Sequence, residues 1–233
     1  MISRTSIFLV AFLGFFSTVY SNVKCPGKAE YELTVYYKWS NATHPNAVPM
    51  NGAHFSPLVG CSHSSGYKMF EAGMMATEGV KNVAETGNTT KLKYEIMKQM
   101  MYNKTTWKTF EASGKVNGTA HVSGLKVYAT ADYYMVSAIA MMVPSPDWFV
   151  GVAGVNLCDN GMWKENETAM SQPWDAGTKN GSMFDMGNAA TNPPGYITVI
   201  TKNPTPLSRF NRRYHATGQV HVEEGEQTNH ALV

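Results

Sequence analysis

Hydrophobic and polar positions along the chain change period several times, and each change predicts an element. Tyr31 to Trp39, "YELTVYYKW", is aromatic and β-branched and predicts a strand. The following "SNATHPNAVPMNGAHFSPLVG" is rich in Pro, Asn and His and predicts a long loop without regular structure. Helical spacing then takes over. In "MATEGVKNVAETG", Val80, Val83 and Ala84 share a face, and Gly87 is placed to stop the helix. In "TTKLKYEIMKQMMYN", Leu92, Ile96 and Met100 form one stripe, with the methionines read as core filler.

From Ala120 onward the pattern is that of strands. "VSGLKVYATAD" alternates loosely. "YYMVSAIAMMVPSP" is apolar on both sides, as a central strand would be, and ends at Pro144 and Pro146. "WFVGVAGVNL", "GYITVITKN" and "YHATGQVHVE" predict three more strands. Short strands joined by Gly/Pro/Asn-rich loops predict a mainly β protein, an antiparallel β-sandwich with short helices confined to its loops.

Composition narrows the class. Of 233 residues, 43% are apolar and only 15% charged, which excludes a disordered chain and a coiled coil. A net charge of +2 gives no nucleic-acid surface, and the short cluster Arg209, Arg212, Arg213 reads as a solvated loop. The first 21 residues have a basic start at Arg4, an apolar run from Ile7 to Phe16, and small Val19 and Ser21 at a cleavage site. They predict a signal peptide over 1–21 and a secreted product. The apolar run is too short to span a bilayer, and no later stretch is long enough. One domain is expected over 22–222, followed by a flexible tail at 223–233.

Six Asn-x-Ser/Thr triplets, at Asn41, Asn88, Asn103, Asn117, Asn166 and Asn180, predict a glycoprotein. Three cysteines, Cys25, Cys61 and Cys158, allow three pairings in an oxidising compartment and leave one thiol over.

Candidate chemistry is sparse. There is no HExxH, GxSxG or P-loop pattern. The nearest approach to a nucleophile is Cys61 two residues before His63 in "GCSHSSG", the sole candidate centre for a secreted hydrolase. Two carboxylates stand out. Asp147 in "VPSPDWFVGV" and Asp175 in "PWDAGTKNG" each follow a proline closely and adjoin a tryptophan. Such fixed loops either cap turns through Asx-type hydrogen bonds or begin a hard-cation site.

These stretches also carry a resemblance. Tyr37-Lys38-Trp39-Ser40, "HFSPLVGCSHSSGYKMF" (54–70), "GVKNVAETG" (79–87), "VPSPDWFVGV" (143–152), "NLCDNGMW" (156–163) and "PWDAGT" (173–178) resemble, in order, the motifs of the spondin domain. The resemblance covers about Cys25 to Thr201. It implies a sandwich similar to a C2 domain and no catalytic activity. It also implies a role in extracellular adhesion and recognition, with matrix, cell-surface protein or glycan partners.

It further implies a Cys25–Cys158 disulfide, with Cys61 the odd thiol; the alternative reading from the residues is a structural matrix component that assembles as a disulfide dimer through Cys61. Finally, it implies a calcium site formed by Asp147, Asp175 and an aspartate at position 179. Here position 179 is Lys179, and an ammonium repels a divalent ion, so weakened calcium binding is the expectation.

Overall fold

The structure, a computed structural model, describes residues 24–40, 52–182, 184, 189–200 and 218–224, the last segment as backbone. The predicted signal peptide, Asn41 and the cluster Arg209, Arg212, Arg213 lie outside the described residues.

Strands β1 (Lys28–Lys38), β2 (His54–Phe55), β3 (Val59–His63), β4 (Thr106–Glu111), β5 (Val116–Asn117), β6 (Thr119–Thr130), β7 (Met135–Val143) and β8 (Trp148–Asn156) make the first part of the chain's order. Then come the short pair β9 (Cys158–Asp159) and β10 (Met162–Trp163), followed by β11 (Asn166–Asp175), β12 (Thr198–Val199) and β13 (Gly218–Glu224). Helices α1 (Glu78–Thr86) and α2 (Thr90–Lys98) lie between β3 and β4.

The main path is β4–β3–β7–β8–β11–β13–β1–β6, and its pairs are antiparallel. It forms a sandwich because β11 serves both layers. Asn166–Ser171 pair with β13, whereas Gln172–Asp175 pair with β8. One layer is thus β4–β3–β7–β8, the other β13–β1–β6, and β11 passes between them.

The inter-layer core follows from strand periodicity. Tyr31, Leu33, Val35 and Tyr37 of β1 face Val136, Ala138, Ala140 and Met142 of β7 and Trp148, Val150 and Val152 of β8. The opposite faces of β7 and β8 are not solvated. Ile139 and Phe149 pack with Val80, Val83, Leu92 and Ile96 of the two helices. The helices, predicted as loop decoration, therefore form a third layer. This explains why β7 is apolar on both sides.

Helix α1 begins at Thr77, whose Oγ1 accepts from Val80 N, and stops at Gly87 in the left-handed conformation (φ 70°). Helix α2 departs from the predicted stripe. A π-helical turn at Gln99–Asn103 adds residues to the last turn and rotates the face. Met97, Met100 and Met101 are exposed, so these methionines do not fill the core.

The loop expected to be irregular from Ser40 contains β2 and the start of β3. β2 is stitched to β5 and β7. β13 runs to Glu224, past the expected end of the domain at 222.

Candidate functional site

The residues singled out at Asp147 and Asp175 meet at one end of the sandwich. The turn before β8 is folded by Ser145, whose Oγ donates to Met142 O (2.6 Å) and accepts from Trp148 N (3.1 Å). It sets Asp147 at the start of β8 with no exposed surface. β11 ends at Asp175, paired opposite Trp148. The loop that follows wraps over Asp147.

Asp147 Oδ2 accepts from Thr178 N (2.6 Å), Thr178 Oγ1 (3.2 Å) and Lys179 N (2.9 Å). Asp175 Oδ1 accepts from Gly177 N (2.7 Å), and its Oδ2 from Trp148 Nε1 (3.2 Å). Asp175 thus makes the Asx-type turn expected of it, whereas Asp147 ties together two loops distant in sequence. Gly177 has φ 72°, and a Cβ there would stand 2.7 Å from Gly195 C, so the turn requires glycine.

Burial raises both carboxyl pKa values. At Asp147 it prevails over the three donors, and the charge of Glu85 adds to it. Asp175 is pushed up from 3.8 to about 6, first by burial and then by the charge of Asp147, against the opposing bonds from Gly177 and Trp148. A folded-state value above the unfolded one contributes stability that is present below pH 3.8 and lost as the pH rises through about 6. His63 acts in the opposite sense. Burial holds it below 6.5, so its contribution is present above 6.5 and lost on acidification. Comparison with Asp175→Asn isolates the first effect. The Tm of the natural chain minus that of the variant should rise as the pH falls from about 7 to about 5, read by thermal melts in matched buffers. A flat difference would contradict the electrostatic account of Asp175.

Lys179 was expected to oppose a metal at the third ligand position. Its Nζ instead lies 3.6 Å from Oε2 of Glu85, near the end of α1, with the two side chains 19% and 14% exposed. Glu85 gave no signal in the sequence beyond its place in a helical pattern. A calcium ion takes about six to eight oxygens. Asp147 Oδ2 already holds three donors, each Asp175 oxygen holds one, and the third position carries a cation. Of these four carboxylate oxygens only Asp147 Oδ1 is buried without a partner. Among the described residues no three His, Cys, Asp or Glu side chains are grouped so as to hold a metal. The donor set present does not fit calcium.

A second feature had no sequence signal. A groove of about 510 Å³ opens on the face of β7, β8 and β11. Tyr67, Phe70 and Trp174 line it with Ala153 and Gln172, and the Lys68–Glu71 ion pair (2.5 Å) stands among its polar groups. Trp174 Nε1 is buried without a hydrogen-bond partner.

Cys61 and His63 do not form a catalytic pair. Cys61 is wholly buried, and burial pushes its thiol pKa far up, away from the reactive thiolate. His63 Nδ1 donates to Ser64 O (2.7 Å), so Nε2 is the acceptor for Ser137 Oγ (2.7 Å). Ser137 Oγ accepts in turn from Gly154 N (2.9 Å). This is a satisfied buried network joining β3, β7 and β8. The same burial leaves Cys61 no surface for an intermolecular bridge.

Cys25 and Cys158 form the disulfide, with Cα atoms 5.9 Å apart. Asn88, Asn103, Asn117, Asn166 and Asn180 are all exposed.

The chain also has relatives among known proteins. The Spondin_N family model matches residues 29–219. Spondin-1 of Rattus norvegicus is 36% identical over 191 residues, which are 79% of this chain and 23% of that protein. Spondin-2 of Homo sapiens is 34% identical over 177 residues, 75% of this chain and 53% of that protein. The chain belongs to the spondin family. It is a secreted, extracellular protein whose match spans about a quarter of the Spondin-1 length and about half of the Spondin-2 length. No helix of the described residues is long and apolar enough to cross a membrane.

Proposed function

We propose that residues 22–224 are a secreted, glycosylated recognition and adhesion module, with its end set by β13. It binds an extracellular protein or glycan without chemically changing it. Residues 1–21 are removed as a signal peptide, and 225–233 form a tail.

The observation that carries this reading is the groove on β7, β8 and β11. It is open to solvent, walled by aromatic rings and bordered by an amide and an ion pair. Aromatic surface supplies contact area at low entropic cost, and a few polar groups supply orientation. The family supports an extracellular role, and the chemistry at Cys61 and His63 gives no support to a hydrolase. Nor does the buried Cys61 favour matrix assembly through a disulfide. Calcium is not required for this reading.

The test is saturation binding of the labelled, secreted protein to matrix-depositing cultured cells. Binding should saturate and be displaced by excess unlabelled protein. Linear uptake that unlabelled protein does not displace would overturn the reading.

A further inference from the structure

We propose that the Lys179 ammonium is the resident cation of the Asp147–Asp175 loop end. Tethered to Glu85 of α1, it holds the loops in order without a divalent metal ion. The inference does not depend on the groove or its partner.

Three observations carry it. First, the main chain at Lys179 is fixed, because its N–H and that of Thr178 donate to the same oxygen of buried Asp147. The loop is braced again by Asn180 N to Ala189 O (2.8 Å) and Thr191 N to Thr178 O (3.0 Å). The root of the lysine side chain is therefore held by the protein. Second, its Nζ lies 3.6 Å from Glu85 Oε2, with both side chains more than four-fifths buried. A shielded pair is screened far less by salt than a surface one. Third, the local charge calls for a cation. Glu85, Asp147 and Asp175 stand near enough for their charges to act on one another in sequence. Among the described residues, Lys179 is the one cation in an ion pair with any of the three.

The geometry also opposes an added ion. Of the four oxygens of Asp147 and Asp175, a divalent cation would find one uncommitted, Asp147 Oδ1, and the third ligand position offers it an ammonium in place of a carboxylate. A metal supplied from solution depends on its concentration, and extracellular modules hold calcium at about 10⁻⁴–10⁻³ M. A lysine in the chain does not depend on any concentration. The Lys179–Glu85 contact also joins the helical layer to the Asp147–Asp175 end of the sandwich, as Lys93–Glu111 joins that layer to β4.

The experiment uses the full secreted chain. Thermal melts are recorded in about 1 mM calcium and in chelator, together with terbium luminescence excited through tryptophan, since Trp148 donates to Asp175. The natural chain should give the same Tm in both buffers and no sensitised terbium emission. Lys179→Met and Glu85→Gln should each lower Tm by about 2–4 °C in both buffers, and the double variant should fall little further.

A calcium-dependent rise in the Tm of the natural chain that Asp147→Asn abolishes would overturn the proposal. So would a Lys179→Met variant with unchanged Tm, or terbium emission from the natural chain. The readings on the natural chain stand even if a variant does not fold.

Discussion

Replacing Cys158 by serine should lower the stability of the domain by about 4–5 kcal/mol, the loop-closure entropy expected for a bridge of this span. The separation between the two cysteines is 133 residues. Cys25 precedes the start of β1 in one layer and Cys158 follows the end of β8 in the other, so the bridge joins the two layers at strand ends. In a domain of this size the loss corresponds to a fall in Tm of about 10–20 °C. Cys25→Ser should behave alike, and the double variant should add little, because both remove one bond. Thermal melts under non-reducing conditions read this directly. A Tm within about 2 °C of the natural chain would mean that the cross-link constrains little of the unfolded chain.

The second large effect is at Asp147. Asp147→Ala leaves the N–H groups of Thr178 and Lys179 without their acceptor in a buried place. Each unsatisfied buried donor costs about 1–3 kcal/mol, so the variant should lose about 3 kcal/mol. Asp147→Asn should lose clearly less. It retains an oxygen for those donors and removes a charge that burial disfavours and that Glu85 and Asp175 oppose. Urea unfolding of the three proteins gives the order. If Asn costs as much as Ala, the negative charge itself is needed, and the hydrogen-bonded account of the loop fails.

The parts of the fold that could be read from the sequence are those whose burial is local. β1 announces itself because alternate apolar side chains enter the core, and β7 because nearly every side chain along it is buried. Helix α1 carries its own stop in Gly87. β11 could not be read in this way. It serves two layers, so its burial pattern changes along its length, and Pro173 argues against a strand although it sits in the ladder opposite Val150. β4 is short, and only two of its six side chains are buried. The exposed methionines of α2 follow from a π-turn that a 3.6-residue period does not foresee.

The site divides in the same manner. Asp147 and Asp175 were visible through proline, tryptophan and the spondin resemblance. That resemblance also implied the pairing of Cys25 with Cys158, which the structure contains. Glu85 was not visible, because its relation to Lys179 exists only once α1 lies on the sheet. The groove was hidden for a similar reason. Its walls come from the loop after β3 and from β7, β8 and β11, and no single segment carries its pattern.

The recognition reading is tested most directly by filling that groove. Ala153 is exposed and lines it, so Ala153→Trp should occupy the space without disturbing the core. The measurement is competition, with unlabelled natural protein or the variant displacing labelled natural protein from the cell layer at matched Tm. The account predicts that the variant needs at least about tenfold more protein for half-displacement, a difference of about 1.4 kcal/mol. Equal displacement by a folded Ala153→Trp protein would contradict it.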